Sequence, residues 1–270
     1  MKKLRSLAFI AMACMASTAI TADAPASIIT WETSVDLFVG GNNDGFVSTN
    51  GTLANAINYT TDTTLNPLLN GVQFVDANNN GTAVAGVTGE TIVLGSGGDN
   101  TGAFGDGAFS GLGNVFDLLR TGAFNINNVT LGNLVVGNTY EIQIFSHDGR
   151  ASRNDAATGF GDGTGSGPVG LLDLNNTEAN ISNITPGTAG TGDFIIGTFT
   201  ATETTQTFQV FGDANLADNG GVPNFSSGNS QSAINAIQLR TTAVASAIPE
   251  PTSLALLAFG AMGVVARRRR

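Results

Sequence analysis

The side chains that can do acid-base or nucleophilic chemistry are few in this chain. Between residues 27 and 247 there is no lysine and no cysteine, and His147 is the only histidine of the 270 residues. A Ser-His-Asp hydrolase needs a nucleophile beside such a histidine, often in a Gly-x-Ser-x-Gly turn after a strand. The sequence has no such turn. We therefore expect His147 to be a polar surface residue at a sheet edge, and the protein to be non-catalytic.

Four polar residues that follow His147 are the best candidates for binding a sugar. Asp148, Arg150, Arg153 and Asn154 lie in one short segment, and carboxylate, amide and guanidinium groups form directed hydrogen bonds of the kind that sugar hydroxyls accept and donate. The structural alternative is an ion pair between Asp148 and Arg150 that closes the end of a strand. The segment therefore predicts either a carbohydrate site or a strand cap.

Carbohydrate sites also stack a sugar ring on an aromatic side chain, and this chain has few that suit. The candidates are Trp31, Tyr59 and Tyr140, because tryptophan and tyrosine combine a flat apolar ring with a polar tip. Tyr140 falls within a strand pattern that predicts burial. Few aromatic side chains are therefore available to stack on a sugar ring.

A calcium site is a second possibility. Asp76, Asn78 and Asn80 alternate before Gly81, which matches the first half of a calcium-binding loop. The second half is missing, because Val87 stands where a bidentate glutamate is needed. An ordinary Asn/Gly turn is the favoured interpretation. Three further aspartates lie in similar glycine-rich stretches, where they are either ligands or turn formers: Asp99, Asp106 and Asp162.

The C-terminal segment has three parts in a fixed order. Its polar and charged positions are Pro249, Glu250, Pro251, Arg267, Arg268, Arg269 and Arg270, and residues 253–266 between them carry no charge. A helix of that apolar stretch rises only ~21 Å against a hydrocarbon core of ~30 Å. The order resembles the PEP-CTERM sorting signal of exported bacterial proteins. The resemblance implies transient membrane contact through the helix, and processing by an exosortase-type membrane protease near the Pro-Glu-Pro.

The N-terminal segment also predicts export. Lys2, Lys3 and Arg5 precede an apolar run, and small residues around Ala24 and Ala26 offer a signal-peptidase site. We expect residues 1–26 to be a signal peptide that signal peptidase removes. A lipoprotein anchor on a cysteine is disfavoured, because the large aliphatic residue that a lipobox requires is absent.

Without these two segments the chain is strongly acidic. Residues 27–247 hold four arginines against nineteen aspartates and glutamates, a formal charge of −15. Such a charge repels nucleic acid, and we expect no nucleic-acid partner. With no cysteine left for a disulfide, the fold depends on its core.

Short alternating runs separated by Gly, Asn, Asp and Thr fill this body and predict about nine strands. The candidates are SIITW from Ser27, TLANAIN from Thr52, GVQFV from Gly71, TIVL from Thr91, VTLGNLVVG from Val129, NTYEIQIFSHD from Asn138, VGLLDL from Val169, FIIGTFTATETTQTFQVFG from Phe194 and SAINAIQLR from Ser232. Two hairpins are expected, one turning at Gly137-Asn138 and one near Glu203 to Thr205. A single short helix is expected near Asn114 to Thr121.

This pattern predicts an all-β protein, a single antiparallel β-sandwich of jelly-roll type. The order of STNGTL, FDLLRTGAF, LGNLVVGNTYEIQIFSHDGR, GTFTATETTQTFQV and INAIQLR resembles the galactose-binding-like sandwiches of many PEP-CTERM proteins. The expected organisation is a signal peptide at 1–26, the sandwich at 27–242, a linker with the Pro-Glu-Pro at 243–252, and the apolar helix with its arginines at 253–270.

The expected function is that of an exported protein without catalysis. The PEP-CTERM resemblance implies a cell-surface or extracellular-matrix location in a Gram-negative-type bacterium. The alternative is a module that binds exopolysaccharide, with calcium as a stabilising ion.

Overall fold

The structure is a computed structural model in which only part of the chain is described. The described residues are 27–36, 44–60, 66–77, 84–96, 101–103, 113–147, 157–165, 167–173, 193–213, 226–227 and 232–245. The predicted signal peptide and the predicted C-terminal helix lie outside these residues.

The described residues form nineteen strands and one helix. In chain order the strands are β1 Thr30–Trp31, β2 Val35–Asp36, β3 Thr52–Asn58, β4 Leu68–Leu69, β5 Val72–Gln73, β6 Val75–Asp76, β7 Val84–Ala85, β8 Thr91–Ser96, β9 Thr101–Ala103, β10 Thr121–Phe124, β11 Ile126–Gly132, β12 Thr139–Ser146, β13 Ala157–Phe160, β14 Gly170–Asp173, β15 Asp193–Thr200, β16 Thr205–Asp213, β17 Ser226–Ser227, β18 Ala233–Ile234 and β19 Ala236–Ala243. The helix, α1, is Asn114–Leu119.

Most strands belong to two large sheets. The front sheet has the order β1-β15-β12-β19-β3-β6, and β2 also pairs with β15. The back sheet has the order β14-β13-β16-β11-β8-β7, and β17 also pairs with β16. Neighbouring strands are antiparallel except for β3 and β6, which are parallel. The prediction of an all-β sandwich is confirmed.

The main core lies between the two sheets. On β12, Tyr140, Ile142 and Ile144 belong to one buried cluster with residues of the back sheet, among them Phe208 and Val210 of β16. Successive side chains of a strand point to opposite faces, so the intervening residues of β12 lie on the outer face of the front sheet. The two faces of β12 are those that its alternating sequence predicts.

A second apolar cluster covers part of that outer face. The α1 residues Val115, Leu118 and Leu119 are buried there together with Phe74 and Phe145. The positions three and four apart in α1 share one side of the helix, which explains why so short a helix forms against the sheet. The predicted helix and its buried face are confirmed.

The two predicted hairpins are wrong. β11 pairs with β8 and β16, and β12 pairs with β15 and β19, so the turn at Gly137-Asn138 crosses from the back sheet to the front sheet. β15 and β16 are likewise in different sheets. The two crossing turns bond to each other instead, since the Gly137 N–H donates to the Ala201 carbonyl at 2.7 Å and the Ala201 N–H to the Asn138 carbonyl at 2.9 Å.

These crossings define the two ends of the sandwich. The turn end holds residues 133–138 and 201–204. At the opposite end, the loop end, β12 finishes at Ser146 opposite Asp193, where β15 begins, and β16 finishes at Asp213. Within the described residues no helix is long and apolar enough to cross a membrane.

Other strand predictions differ in detail. TLANAIN is β3 as expected, whereas GVQFV divides into β5 and β6 around the buried Phe74. The short strands β10 and β13 were not predicted, because TGAF and ATGF contain a glycine and too few β-branched residues to show a two-residue period.

Candidate functional site

His147 is buried at the loop end of the front sheet, with 3% of its surface exposed. It follows β12, which has β15 on one side and β19 on the other. Its backbone N–H donates to the Asn235 Oδ1 at 2.5 Å, and the amide of Asn235 donates to the carbonyls of Leu119 and Thr121, each at 2.8 Å. The prediction of a surface residue at a sheet edge is wrong, because β12 is a central strand.

The environment of His147 does not suit a general base. Burial lowers its pKa from 6.5 to about 4, since removal from water disfavours the charged imidazolium. The side chain is therefore neutral at pH 7. A general base must also come within hydrogen-bonding distance of its substrate, and an imidazole that is 3% exposed offers no such approach in this conformation.

Most predicted site residues lie outside the described residues. They are Asp148, Arg150, Arg153, Asn154, Asn78, Asn80, Pro249, Glu250, Pro251, Arg267, Arg268, Arg269 and Arg270. The sugar-binding candidates come directly after His147 in the sequence. Their roles stay predictions.

Asp76, the remaining calcium candidate, ends β6 beside Asn58 of β3. Its backbone N–H donates to the Asn66 Oδ1 at 3.3 Å. Among the residues that the structure describes, no three His, Cys, Asp or Glu side chains are close enough to hold a metal ion. Calcium binding stays a prediction, because Asn78 and Asn80 lie outside that part of the chain.

Asp162 forms a local turn. Its Oδ1 accepts the backbone N–H of Thr164 at 2.8 Å and the hydroxyl of the same residue at 2.6 Å. These hydrogen bonds lower the pKa of Asp162, because they stabilise the ionised carboxylate. The turn-former interpretation accounts for this aspartate.

The outer face of the front sheet carries a buried polar layer that the sequence did not reveal. Ser48 donates its hydroxyl to the Glu141 Oε1, and its backbone N–H donates to the Gln143 Oε1 at 2.9 Å. The Asn50 amide donates to the Glu141 Oε2 at 2.9 Å. The segment 46–51 therefore covers Glu141 and Gln143, which alternation alone would place in solvent.

Arg240 completes this polar layer from the neighbouring strand. It lies opposite Glu141 in the register of β12 and β19, and both side chains are buried. Its Nε donates to the Asn50 carbonyl at 2.7 Å and its Nη2 to the Gly51 carbonyl at 3.0 Å. Burial lowers the pKa of Arg240, and the Glu141 charge opposes that shift. Since these groups bind the chain's own backbone, the layer anchors a segment and is not open to a ligand.

The aromatic candidates for sugar stacking are built into the core. Tyr59 and Tyr140 are buried, as predicted for Tyr140. Trp31 packs against Phe160 and Phe208, with ring centroids 5.4 and 5.5 Å away, and its Nε1 donates to a backbone carbonyl at 3.0 Å. None of the three is placed for stacking on a ligand.

A cleft of about 240 Å³ lies at the turn end. Its lining residues are mostly of polar types: Ser27, Gly163, Thr202, Glu203, Thr205, Gln206 and Thr207. Two of these residues bond across it, since the Thr202 backbone N–H donates to the Ser27 Oγ at 3.0 Å. The cleft therefore marks where the residues that precede β1 join the turn end.

Residues 247–270 match the PEP-CTERM protein-sorting motif. The resemblance expected from Pro249-Glu250-Pro251, the apolar run and the arginines is confirmed. The motif marks an exported protein that exosortase sorts and that crosses the membrane to the cell surface.

No curated protein matches the chain. Two solved structures of Bacteroides uniformis beta-glucuronidase 2 resemble it. A calcium binding mutant has a TM-score of 0.39 and 15% identity over 70% of this chain and 18% of that chain. The enzyme covalently bound to cyclophellitol-6-carboxylate aziridine has a TM-score of 0.36 and 14% identity, again over 70% and 18%. The chain thus spans less than a fifth of the length of these structures, and scores of this size carry no functional conclusion.

Proposed function

We propose that this chain is a non-catalytic protein of the cell surface or extracellular matrix of a Gram-negative-type bacterium. Signal peptidase removes residues 1–26, and exosortase processes the tail near Pro249-Glu250-Pro251. The observation that carries this proposal is the match of residues 247–270 to the sorting motif.

The positions of the two ends of the described body support this route. Ser27 is bound at the turn end through Thr202. Ala245, the last described residue, is bound at the same end, where its N–H donates to the Asn138 Oδ1 at 2.8 Å. Both export signals are therefore joined to the same end of the sandwich. Both can contact one membrane without the chain having to run the length of the sandwich.

The absence of catalysis is proposed from the chemistry of the body. The one histidine is buried and neutral at pH 7, with a pKa of about 4, and between residues 27 and 247 the chain has no lysine or cysteine to act as a nucleophile. These features favour a binding or structural role over hydrolysis.

Fractionation of the native host tests this function. A variant with Pro249, Glu250 and Pro251 all changed to Ala should accumulate in the membrane fraction, whereas the wild-type chain should reach the surface or the medium. Glu203→Ala, an exposed substitution at the turn end that leaves the tail intact, is the matched control and should be delivered normally. Equal delivery of the triple variant and the control would sink the proposed route.

A second candidate function is carbohydrate binding at the loop end. A strand of each sheet has an aspartate at this end, with Asp193 beginning β15 and Asp213 ending β16, and Asp148 and Arg150 follow His147 of the same end in the sequence. Carboxylates together with guanidinium groups suit polyhydroxylated ligands. The partner of the exported body in this second proposal is an exopolysaccharide.

A glycan array and a polysaccharide pull-down test the second candidate. Asp148→Ala and Arg150→Ala should abolish retention without lowering the melting temperature, whereas Asp162→Ala, at the turn end, should leave retention unchanged. If the wild-type chain is not retained on any polysaccharide, carbohydrate binding is excluded.

If calcium stabilises the body, calcium should raise the melting temperature and EDTA should reverse the rise, because an ion that binds only the native state stabilises it.

A further inference from the structure

Four valines at the turn end are exposed although valine is usually a core residue. They are Val87, Val135, Val136 and Val244, with 81%, 52%, 52% and 76% of their surfaces exposed. We call these four residues the valine patch. An exposed apolar patch of this kind commonly marks a contact with a partner or a membrane.

Hydrogen bonds hold the segments of the valine patch together. The Asn133 amide donates to the Gly89 carbonyl at 3.0 Å, which joins the turn of Val87 to the turn of Val135 and Val136. The Asn138 Oδ1 accepts the Ala245 N–H at 2.8 Å, which joins that turn to the segment of Val244. The three segments that carry the valine patch are therefore adjacent at the turn end.

Charge is distributed unequally between the two ends. In the described turns at the turn end, residues 86–90, 133–138, 161–165, 201–204 and 242–245, the acidic residues are Glu90, which is buried, Asp162 and Glu203. Five strands instead begin or finish with aspartate at the loop end: Asp36, Asp76, Asp173, Asp193 and Asp213. An anionic membrane surface repels acidic groups, so the turn end is the end that can approach lipid.

The tail starts beside the valine patch. Seven residues, 246–252, separate Ala245 from Ser253, where the apolar run of the tail begins, and the eight residue-to-residue steps between them reach at most roughly 28 Å. Once the apolar run enters the bilayer, the patch is held within that distance of the hydrocarbon. Such a tether turns a weak surface contact into an intramolecular one with a high effective concentration.

We propose that the valine patch rests on the lipid surface of the membrane that the tail enters, so that the acidic loop end faces away from the membrane. The inference rests on the proposed function, because it needs the tail to enter the bilayer. It adds an orientation: the strand ends at Asp76, Asp193 and Asp213 face away from the membrane while the tail is still attached.

Depth-dependent quenching tests the orientation. The full-length chain with Cys14→Ser has no cysteine, so a single fluorophore can be placed by Val135→Cys in the patch. Val75→Cys is the matched control, since Val75 is a 49% exposed valine that lies at the loop end. Ala258→Cys reports on the tail. Each protein is reconstituted in phosphatidylethanolamine–phosphatidylglycerol vesicles that contain nitroxide-labelled lipid.

We expect strong quenching at position 258, quenching at position 135 several-fold stronger than at position 75, and a blue shift of emission at position 135. Quenching at 258 with equal, weak quenching at 135 and 75 overturns the orientation and leaves export intact. Loss of quenching at 258 overturns both proposals. A blue shift at 135 that appears without vesicles and grows with protein concentration shows that a second copy covers the patch, which also overturns the membrane contact.

A charge in the patch gives an independent check. With the fluorophore at Val244→Cys, Val135→Asp should lower quenching by lipid several-fold, and Val75→Asp should leave it unchanged. Both substitutions are at exposed positions, so both proteins should keep the wild-type melting temperature. Unchanged quenching in the Val135→Asp protein would count against the membrane contact.

Discussion

Replacing His147 should make this fold less sensitive to acid. The imidazole is 3% exposed, and burial lowers its pKa from 6.5 to about 4. Between these two pH values the unfolded chain binds a proton at His147 that the folded chain does not bind. Unfolding therefore becomes more favourable as the pH falls through this window, and the contribution levels off about one pH unit above the unfolded-state value of 6.5.

The size of the effect follows from the same two values. A difference of one pKa unit corresponds to about 1.36 kcal/mol, so lowering the pH from 7 to 4 should cost the folded state about 3 kcal/mol through His147 alone. Small domains have total unfolding free energies of about 5 to 15 kcal/mol. The protonation of one residue therefore removes a substantial fraction of the stability.

Two measurements check this expectation. Since the chain holds one histidine, its imidazole proton resonance can be followed without overlap and should titrate near pH 4. Urea unfolding of the wild type and of His147→Gln should differ in pH dependence by about 3 kcal/mol between pH 7 and 4. The comparison cancels the titration of carboxylates that both proteins share. A resonance that titrates near pH 6.5, with parallel pH dependence in the two proteins, would refute the burial of His147.

Two further substitutions probe the anchoring of segment 46–51. Glu141→Ala leaves the buried Arg240 without the charge opposite it, and should lower the unfolding free energy in urea by about 2 kcal/mol or more; a loss within error would contradict the polar layer. Gly51→Ala should cost more than about 1 kcal/mol, because φ is +71° there and a Cβ would lie 2.3 Å from the Thr241 carbonyl oxygen. Gly71→Ala has a similar φ of +76° but open space around it, so it should cost less than Gly51→Ala, and equal losses would exclude the steric cause.

The sequence predicted which residues are buried better than it predicted which strands pair. The period of two in β12 placed Tyr140 and Ile142 on the core side, as observed. The same period did not distinguish a hairpin from a turn between sheets, because both connect two alternating strands. Gly137-Asn138 suits either connection. In the crossing turn that is observed, the Gly137 N–H donates to the carbonyl of Ala201, a residue 64 positions later in the chain that local sequence does not identify as a partner.

The polar layer shows why side chains on the second face were harder to place. Glu141 and Gln143 alternate with core residues, so the pattern predicts exposure. They are buried by Ser48 and Asn50, which come about ninety residues earlier in the chain. His147 was misplaced for a related reason, because one strand's sequence does not show that it has a neighbour on each side.

The identity of the C-terminal residue of the exported protein tests the central claim most directly. Intact-mass spectrometry of the chain recovered from the surface or medium of its native host should show a protein that begins near residue 27 and ends near Pro249-Glu250-Pro251, without residues 253–270. The same chain from a host that lacks the exosortase should keep Arg270. A surface protein that retains Arg270 in both hosts would contradict sorting by this motif.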